Sequence, residues 1–201
     1  MAVIKLNEML TDVRKKKGTN VYSRWKGKNY VRTYNKDQHD ANTEGQKAVR
    51  AAFSKLVKSW KGIAAVMKEG WEQTVKNMDM TGYNSFISTN FDSMKQGLAL
   101  HVSHTMGEQV VRGFAAAAGT NPGEIACTFT PLAEGKELTV FAHKKGNGGE
   151  LSFHRGNGTG SFTVQGLDAG AEYFLYAVVS NGNIDESKTV SESVAVSAMA
   201  A

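Results

Sequence analysis

Two hundred and one residues with 21% charged and 41% hydrophobic side chains fit one large domain or two small ones and exclude global disorder. The single cysteine, Cys127, excludes an intramolecular disulfide, and no run approaches the ~18 consecutive apolar residues of a membrane span. The net charge of +5 hides a division: residues 1–40 hold ten Lys/Arg against four Asp/Glu, residues 41–97 eight against five, and residues 98–201 six against ten.

Polarity therefore flips near residue 97, where helix-forming sequence gives way to strand-forming sequence. The expected organisation is a basic arm and β-hairpin over 1–40, a small helical module over 41–97 and a β-sandwich over 98–201, an α+β chain of two modules. Such a charge division fits a protein that binds or stacks rather than one that turns over substrate. Met1 to Lys17 carries polar residues where a secretory core would be apolar, so a reducing compartment, or export without a signal peptide, is expected.

The cationic run Arg14-Lys15-Lys16-Lys17 ends at Gly18. Beyond it, aromatic and β-branched residues flank Lys26-Gly27-Lys28, which predicts a hairpin of Asn20–Trp25 and Asn29–Tyr34 with Gly27 supplying a positive φ. Alternation places Tyr22 and Arg24 on one face and Val21, Ser23 and Trp25 on the other. Cations among Tyr22, Trp25, Tyr30 and Tyr34 have the composition of a nucleic-acid surface, phosphate partners beside stacking rings. A ribbon that docks its rings on neighbouring helices has the same composition, because an isolated hairpin is marginal in water. The candidate binding residues are Arg14, Lys15, Lys16, Lys17, Arg24, Lys26, Lys28 and Arg32, facing nucleic acid or an acidic protein surface.

Thr43-Glu44-Gly45-Gln46 has capping-box spacing and opens a helix over Thr43–Lys61, with Val49, Ala52, Phe53, Leu56, Val57 and Trp60 as its inward stripe. Lys47, Arg50, Lys55, Lys58 and Lys61 form the outer face. A second helix is predicted over Ile63–Met78, with Met78 facing in, and a third over Tyr83–Lys95, separated by Thr81-Gly82. Trp60, Trp71, Phe86 and Phe91 are the expected core of this group.

The pieces Gly18-x-x-Val21-Tyr22-Ser23-x-Trp25-Lys26-Gly27-x-x-Tyr30-Val31-Arg32 and Thr43-Glu44-x-Gln46-x-Ala48-Val49-Arg50-Ala51-Ala52-Phe53 resemble small uncharacterised proteins of prophages and Bacteroides-type genomes. Gly70-Trp71 and Gly82-Tyr83-Asn84-x-Phe86-Ile87-x-x-Asn90 extend the likeness, which covers residues 18–91. Asn35–Asp40 departs from it, standing where those proteins carry a proline-rich stretch. The resemblance implies a phage virion component associated with capsid, neck or tail.

Residues 98–123 are ambiguous: Leu98-x-Leu100-x-Val102 alternates like a strand, and Ala115–Ala118 suits a strand end or a linker. His101 and His104 would share a face on a helix, at ligand spacing, and oppose each other on a strand; no carboxylate or thiol near them in sequence completes a metal set. From residue 124 onward the predicted strands are Glu124–Thr130, Glu137–Lys144, Leu151–Arg155, Ser161–Gly166, Glu172–Ser180 and Val190–Ala198, punctuated by Asn147-Gly148, Asn157-Gly158 and Asn181-Gly182. With one strand from 98–118 they make a seven-stranded sandwich. Gly156-Asn157-Gly158-Thr159-Gly160 lies between strands and lacks the Gly-Lys-Ser/Thr ending of a phosphate loop, so it is a turn.

Leu167-x-x-Gly170-x-x-Tyr173 resembles the fibronectin type III pattern, in which a tyrosine at the start of a late strand bonds back across the corner. The likeness covers residues 107–198 and implies an Ig-like or fibronectin III-like domain with Phe129 in place of the usual tryptophan. Cys127 fits a small apolar filler on a strand.

Three functions compete. The first is a virion subunit in contact with other virion proteins and copies of itself as a homo-oligomer, residing in the host cytoplasm before assembly. The second is a nucleic-acid-binding accessory protein using the basic arm, with salt-sensitive affinity. The third, an enzyme, lacks a recognisable Ser-His-Asp, zinc or Walker pattern beside the acid pairs Glu134/Glu137 and Asp185/Glu186. No catalytic residue, cofactor, metal or membrane contact is assigned.

Overall fold

The computed structural model describes residues 2–4, 14–37, 40–146 and 149–201. The chain divides into two compact units, Met1–Thr43 and Glu44–Ala201.

The first unit is a four-stranded antiparallel sheet in the order β1-β4-β3-β2, built from β1 (Ala2–Ile4), β2 (Lys15–Lys17), β3 (Asn20–Trp25) and β4 (Lys28–Thr33). Trp25 pairs with Lys28, so Lys26 and Gly27 alone make the turn. Both have positive φ, 44° and 79°, as the favoured two-residue hairpin turn requires. Lys17 pairs with Asn20 across Gly18-Thr19, so the cationic run is a third strand of the ribbon rather than a loose arm.

The second unit is layered. Helices α1 (Glu44–Gly62), α2 (Ala65–Thr74) and α3 (Gly82–Gln96) precede seven strands: β5 (Ala115–Ala118), β6 (Ile125–Thr128), β7 (Lys136–Lys144), β8 (Ser152–Gly156), β9 (Ser161–Val164), β10 (Glu172–Asn181) and β11 (Val194–Met199). The strands form two antiparallel sheets, β11-β10-β7-β8 and β5-β6-β9, the expected seven-stranded, fibronectin III-like sandwich. The Tyr173 hydroxyl accepts a hydrogen bond from the Asp168 N–H at 3.0 Å, which is the corner anticipated from Leu167-x-x-Gly170-x-x-Tyr173. Phe129 packs in the sandwich core with Ile125, Leu138, Val164 and Leu175.

Strand β10 is buried on both faces. Tyr173, Leu175, Ala177 and Val179 point into the sandwich. Tyr176 and Val178 point the other way, into a second core with Leu56, Met67, Trp71 and Phe86 of the helices. The change from helix to strand near residue 97 thus falls inside one unit, with the helices covering the outer face of the four-stranded sheet. A sheet face as apolar as Phe141, Tyr176 and Val178 needs such a cover, because leaving it in water would forfeit ~25 cal/mol per Å2.

The helices differ from expectation in detail. Ala52, Leu56 and Ser59 form the buried stripe of α1, whereas Val49 and Phe53 are 45% and 44% exposed. Small Ser59 lets the helix approach the β7–β8 connection, where its hydroxyl donates to the Gly149 carbonyl at 2.7 Å. Glycine is required at 149: its φ is +80°, and a Cβ there would lie 2.2 Å from the Lys55 carbonyl oxygen. Helix α2 stops at Thr74 and Met78 is exposed, since the backbone past Val75 turns instead of continuing the stripe. Thr81 is the N-cap of α3, its hydroxyl accepting from the Asn84 N–H. The Asn147-Gly148 turn signal lies outside the described residues.

The strand-like alternation of Leu98-x-Leu100-x-Val102 does not hold: Leu100 and Val102 are buried, but so is Ser103 while Leu98 is exposed, and residues 98–106 join neither sheet. Their backbone groups bond to side chains from both layers, and the Met106 N–H and Ser103 carbonyl bond to the backbone of Val190 and Ser193. Asn90 of α3 accepts from the His101 N–H at 2.7 Å and donates to the His101 carbonyl at 2.9 Å. Trp71 of α2 donates to the Val102 carbonyl at 3.2 Å. On the sandwich side the Tyr176 hydroxyl accepts from the Leu100 N–H, and the Ser193 hydroxyl accepts from the Val102 N–H.

Candidate functional site

The sheet of residues 14–34 holds all eight cations singled out from the sequence, and its register divides them. Directly paired residues of an antiparallel sheet share a face. Lys15, Tyr22 and Val31 pair in one row; Lys17, Asn20 and Thr33 follow on that face, as do Arg24 and Asn29. The opposite face carries Lys16, Val21 and Arg32 in one row, Ser23 and Tyr30 in the next, and Trp25 with Lys28 at the hairpin end. Tyr34 extends this second face, and the Lys16 ammonium sits 3.7 Å from its ring centroid. Arg14 precedes β2, and Lys26 occupies the turn.

Rings are thereby sorted. Tyr22 lies with Lys15, Lys17 and Arg24, whereas Trp25, Tyr30 and Tyr34 gather with Lys16, Lys28 and Arg32. Trp25 is 47% and Tyr34 41% exposed, and Tyr30 is half-buried. Sequence alternation separated Tyr22 from Trp25 correctly. It missed β2, and with it the neighbourhood of Lys16 and Tyr34; Gly18 between Lys17 and Asn20, matching Gly27 in the next turn, was the available signal.

In the second unit His101 and His104 do come together, with Nε2 of one 3.4 Å from Nδ1 of the other. Neither a helix nor a strand brings them there: the segment is extended and irregular, and both rings lie edge-on against Trp71, at 5.6 and 4.2 Å between centroids. Burial lowers the pKa of each from 6.5; the Glu192 carboxylate opposes this at both, and the His101 charge reinforces it at His104. Among the described residues no group of three or more His, Cys, Asp or Glu is placed to hold a metal ion. Cys127 is buried, and burial pushes its thiol up to about 11.

Among the described residues, two of the open grooves border the sandwich. One of about 530 Å3 is lined by Glu108, Val110, Arg112, Pro131, Leu132 and Lys136. Burial would raise the Glu108 carboxyl, but hydrogen bonds from Lys136 and Thr189 and the Lys136 charge hold it below its ordinary value. Its contact with Lys136 is 2.7 Å long. The other, about 340 Å3, is lined among others by Lys58, His143, Lys144, Asp168 and Tyr173, with Lys144 bonded to Asp168 at 2.6 Å. Of the acid pairs noted in the sequence, Asp185 is matched to Arg155. No helix among the described residues is long and apolar enough to cross a membrane.

Residues 12–124 match a family of unknown function, DUF6266. No curated protein matches the chain. Among solved structures, a family 76 glycoside hydrolase from a bovine Bacteroides thetaiotaomicron strain is 19% identical over 46% of this chain, with a TM-score of 0.38; the chain spans 20% of the length of that hydrolase. The fn3 domain of human collagen alpha-1(XX) chain is 17% identical over 48% of this chain and 89% of its own, with a TM-score of 0.39. An Fn3-like protein from Clostridium thermocellum is 15% identical over 45% of this chain and 91% of its own, with a TM-score of 0.35.

Proposed function

We infer that this chain, which belongs to DUF6266, a family of unknown function, is an assembly subunit of a phage or prophage particle that works by holding other macromolecules in place. The observation that carries the reading is the division of charge between the basic first unit and the acidic sandwich within the second. Residues 1–43 hold ten Lys/Arg against four Asp/Glu, with Lys15, Lys17 and Arg24 on one face of the sheet, whereas residues 98–201 hold an excess of four acids. Many of those acids, among them Glu134, Glu150, Glu186 and Glu192, are exposed. A basic patch on one copy and an acidic sandwich on the next are complementary in the head-to-tail sense, which extends an assembly instead of closing a dimer. The sandwich, buried on both faces of its larger sheet, supplies a stiff spacer. Its location would be the virion, and the host cytoplasm before assembly.

Two measurements test this. Sedimentation of the full chain at about 50 mM and 500 mM salt should show oligomers at the lower concentration that dissociate at the higher, because surface charge pairs are screened. Mass spectrometry of particles purified after prophage induction should then find the chain at stoichiometric level. A monomer at both salt concentrations that is missing from particles overturns the reading.

A further inference from the structure

We propose that the face of the N-terminal sheet carrying Lys16, Trp25, Lys28, Tyr30, Arg32 and Tyr34 binds single-stranded nucleic acid. This goes beyond the assembly role and does not depend on it. From β4 to Tyr34 just past its end, that face reads Lys28, Tyr30, Arg32, Tyr34: cation, ring, cation, ring. Same-face residues of a strand recur every ~6.6 Å, so the strand lays out alternating phosphate partners and stacking planes in one line. Trp25 flanks the line beside Lys28, and Lys16 flanks it over Tyr34. Asp37 and Asp40, the acids among the described residues of this unit, lie outside the strands, so among the described residues no strand position on this face carries a carboxylate to repel a phosphate chain.

The exposed rings favour a single strand over the alternatives. An acidic protein surface is matched by the lysines and arginine alone and gives no reason for Trp25 and Tyr34 to stand in water. A duplex hides its base faces in the stack and offers these rings nothing to stack on. Unpaired bases present π-faces of any sequence, and base–ring stacking with backbone neutralisation is how sheets bind single strands without sequence preference. The same pattern predicts weak sequence discrimination.

The test is fluorescence anisotropy of the full chain with a labelled 20-nucleotide oligo-dT, its duplex with oligo-dA, and polyglutamate as competitor. Expected are binding at about 50 mM salt, a loss of affinity of about twentyfold by about 200 mM for three neutralised phosphates, and quenching of tryptophan emission. Trp25→Ala and Tyr34→Ala each weaken binding about tenfold, while Trp25→Phe, which keeps a ring, stays within about threefold. Lys16→Gln with Arg32→Gln, both exposed and harmless to the hairpin turn, lowers the salt slope by about 1.4. Absence of binding at low salt overturns the proposal. So do equal affinity for the duplex, displacement by polyglutamate at equal charge, or ring variants that bind like the parent.

Discussion

The hydroxyl of Tyr176, at the centre of β10, accepts a hydrogen bond from the backbone N–H of Leu100 at 3.1 Å. Tyr176 is fully buried, and burial raises its own pKa to about 12. The bond joins the middle strand of the sandwich to residues 98–106, and that segment is held from its other side by Asn90 and Trp71. One irregular segment thus links α2 and α3 to a sheet without entering a ladder.

Tyr176→Phe removes the acceptor and strands the Leu100 N–H in an apolar core. An unmade buried hydrogen bond costs ~1–3 kcal/mol, so the variant should melt roughly 2–12 °C lower for a unit of this size. Calorimetry at neutral pH measures it; an unchanged melting temperature would mean the segment is not held through this bond.

Gly149→Ala separates strain from clash. Gly146 and Gly149 both have φ +80°, but a Cβ at 146 meets nothing within 4 Å, whereas one at 149 meets the Lys55 carbonyl at 2.2 Å. Gly146→Ala should therefore cost only the left-handed penalty of ~1–2 kcal/mol. Gly149→Ala adds displacement of α1 and loss of the Ser59 bond, for ~3–5 kcal/mol in all. Urea unfolding of both variants reads the difference, and equal midpoints contradict the packing of α1 against this connection.

Cys127 should resist thiol reagents. With its pKa pushed up to about 11 and its side chain buried in the sandwich, almost no thiolate exists at pH 8 and the reagent has no path to it. Ellman titration should count no reactive thiol in the native chain and one in denaturant. One native equivalent within minutes would place Cys127 at an accessible surface.

How much of this was legible in the sequence depended on whether the deciding partner lay close in the chain. Lys26-Gly27 between aromatic runs marked the β3–β4 hairpin because the turn chemistry is local. Lys15–Lys17 were harder, since lysine has little strand propensity and that strand exists through pairing with Asn20–Tyr22. Tyr173–Val179 reads as an almost unbroken apolar run, the pattern of a strand covered on both faces; that run signalled that helices and sandwich share a sheet. Residues 98–106 stayed ambiguous because their partners, Asn90, Tyr176 and Ser193, are 11, 76 and 91 residues away. Val49 and Phe53 satisfied the helical stripe but not the packing, which Ser59 decides by being small.

Acid should loosen the second unit through His101 and His104. Both have folded-state pKa values below 6.5, chiefly from burial, so the folded chain binds their protons less readily than the unfolded chain does. Where the unfolded state binds more protons, stability rises with pH. The contribution is therefore complete above pH 6.5 and is lost as pH falls from there through the depressed folded values. Two cationic rings with Nε2 and Nδ1 3.4 Å apart would also repel each other, with Glu192, 3.7 Å from His101, only partly compensating. Urea midpoints between pH 7.5 and 5.0 should fall, and the fall should flatten in the double variant His101→Gln/His104→Gln, which cannot take up a proton at either site. The carboxylates titrate mostly below this window, but His154, whose pKa burial also lowers, titrates with the same sign, so the difference in slope between parent and double variant is what isolates the pair. An identical slope in parent and variant would assign the acid sensitivity to other groups.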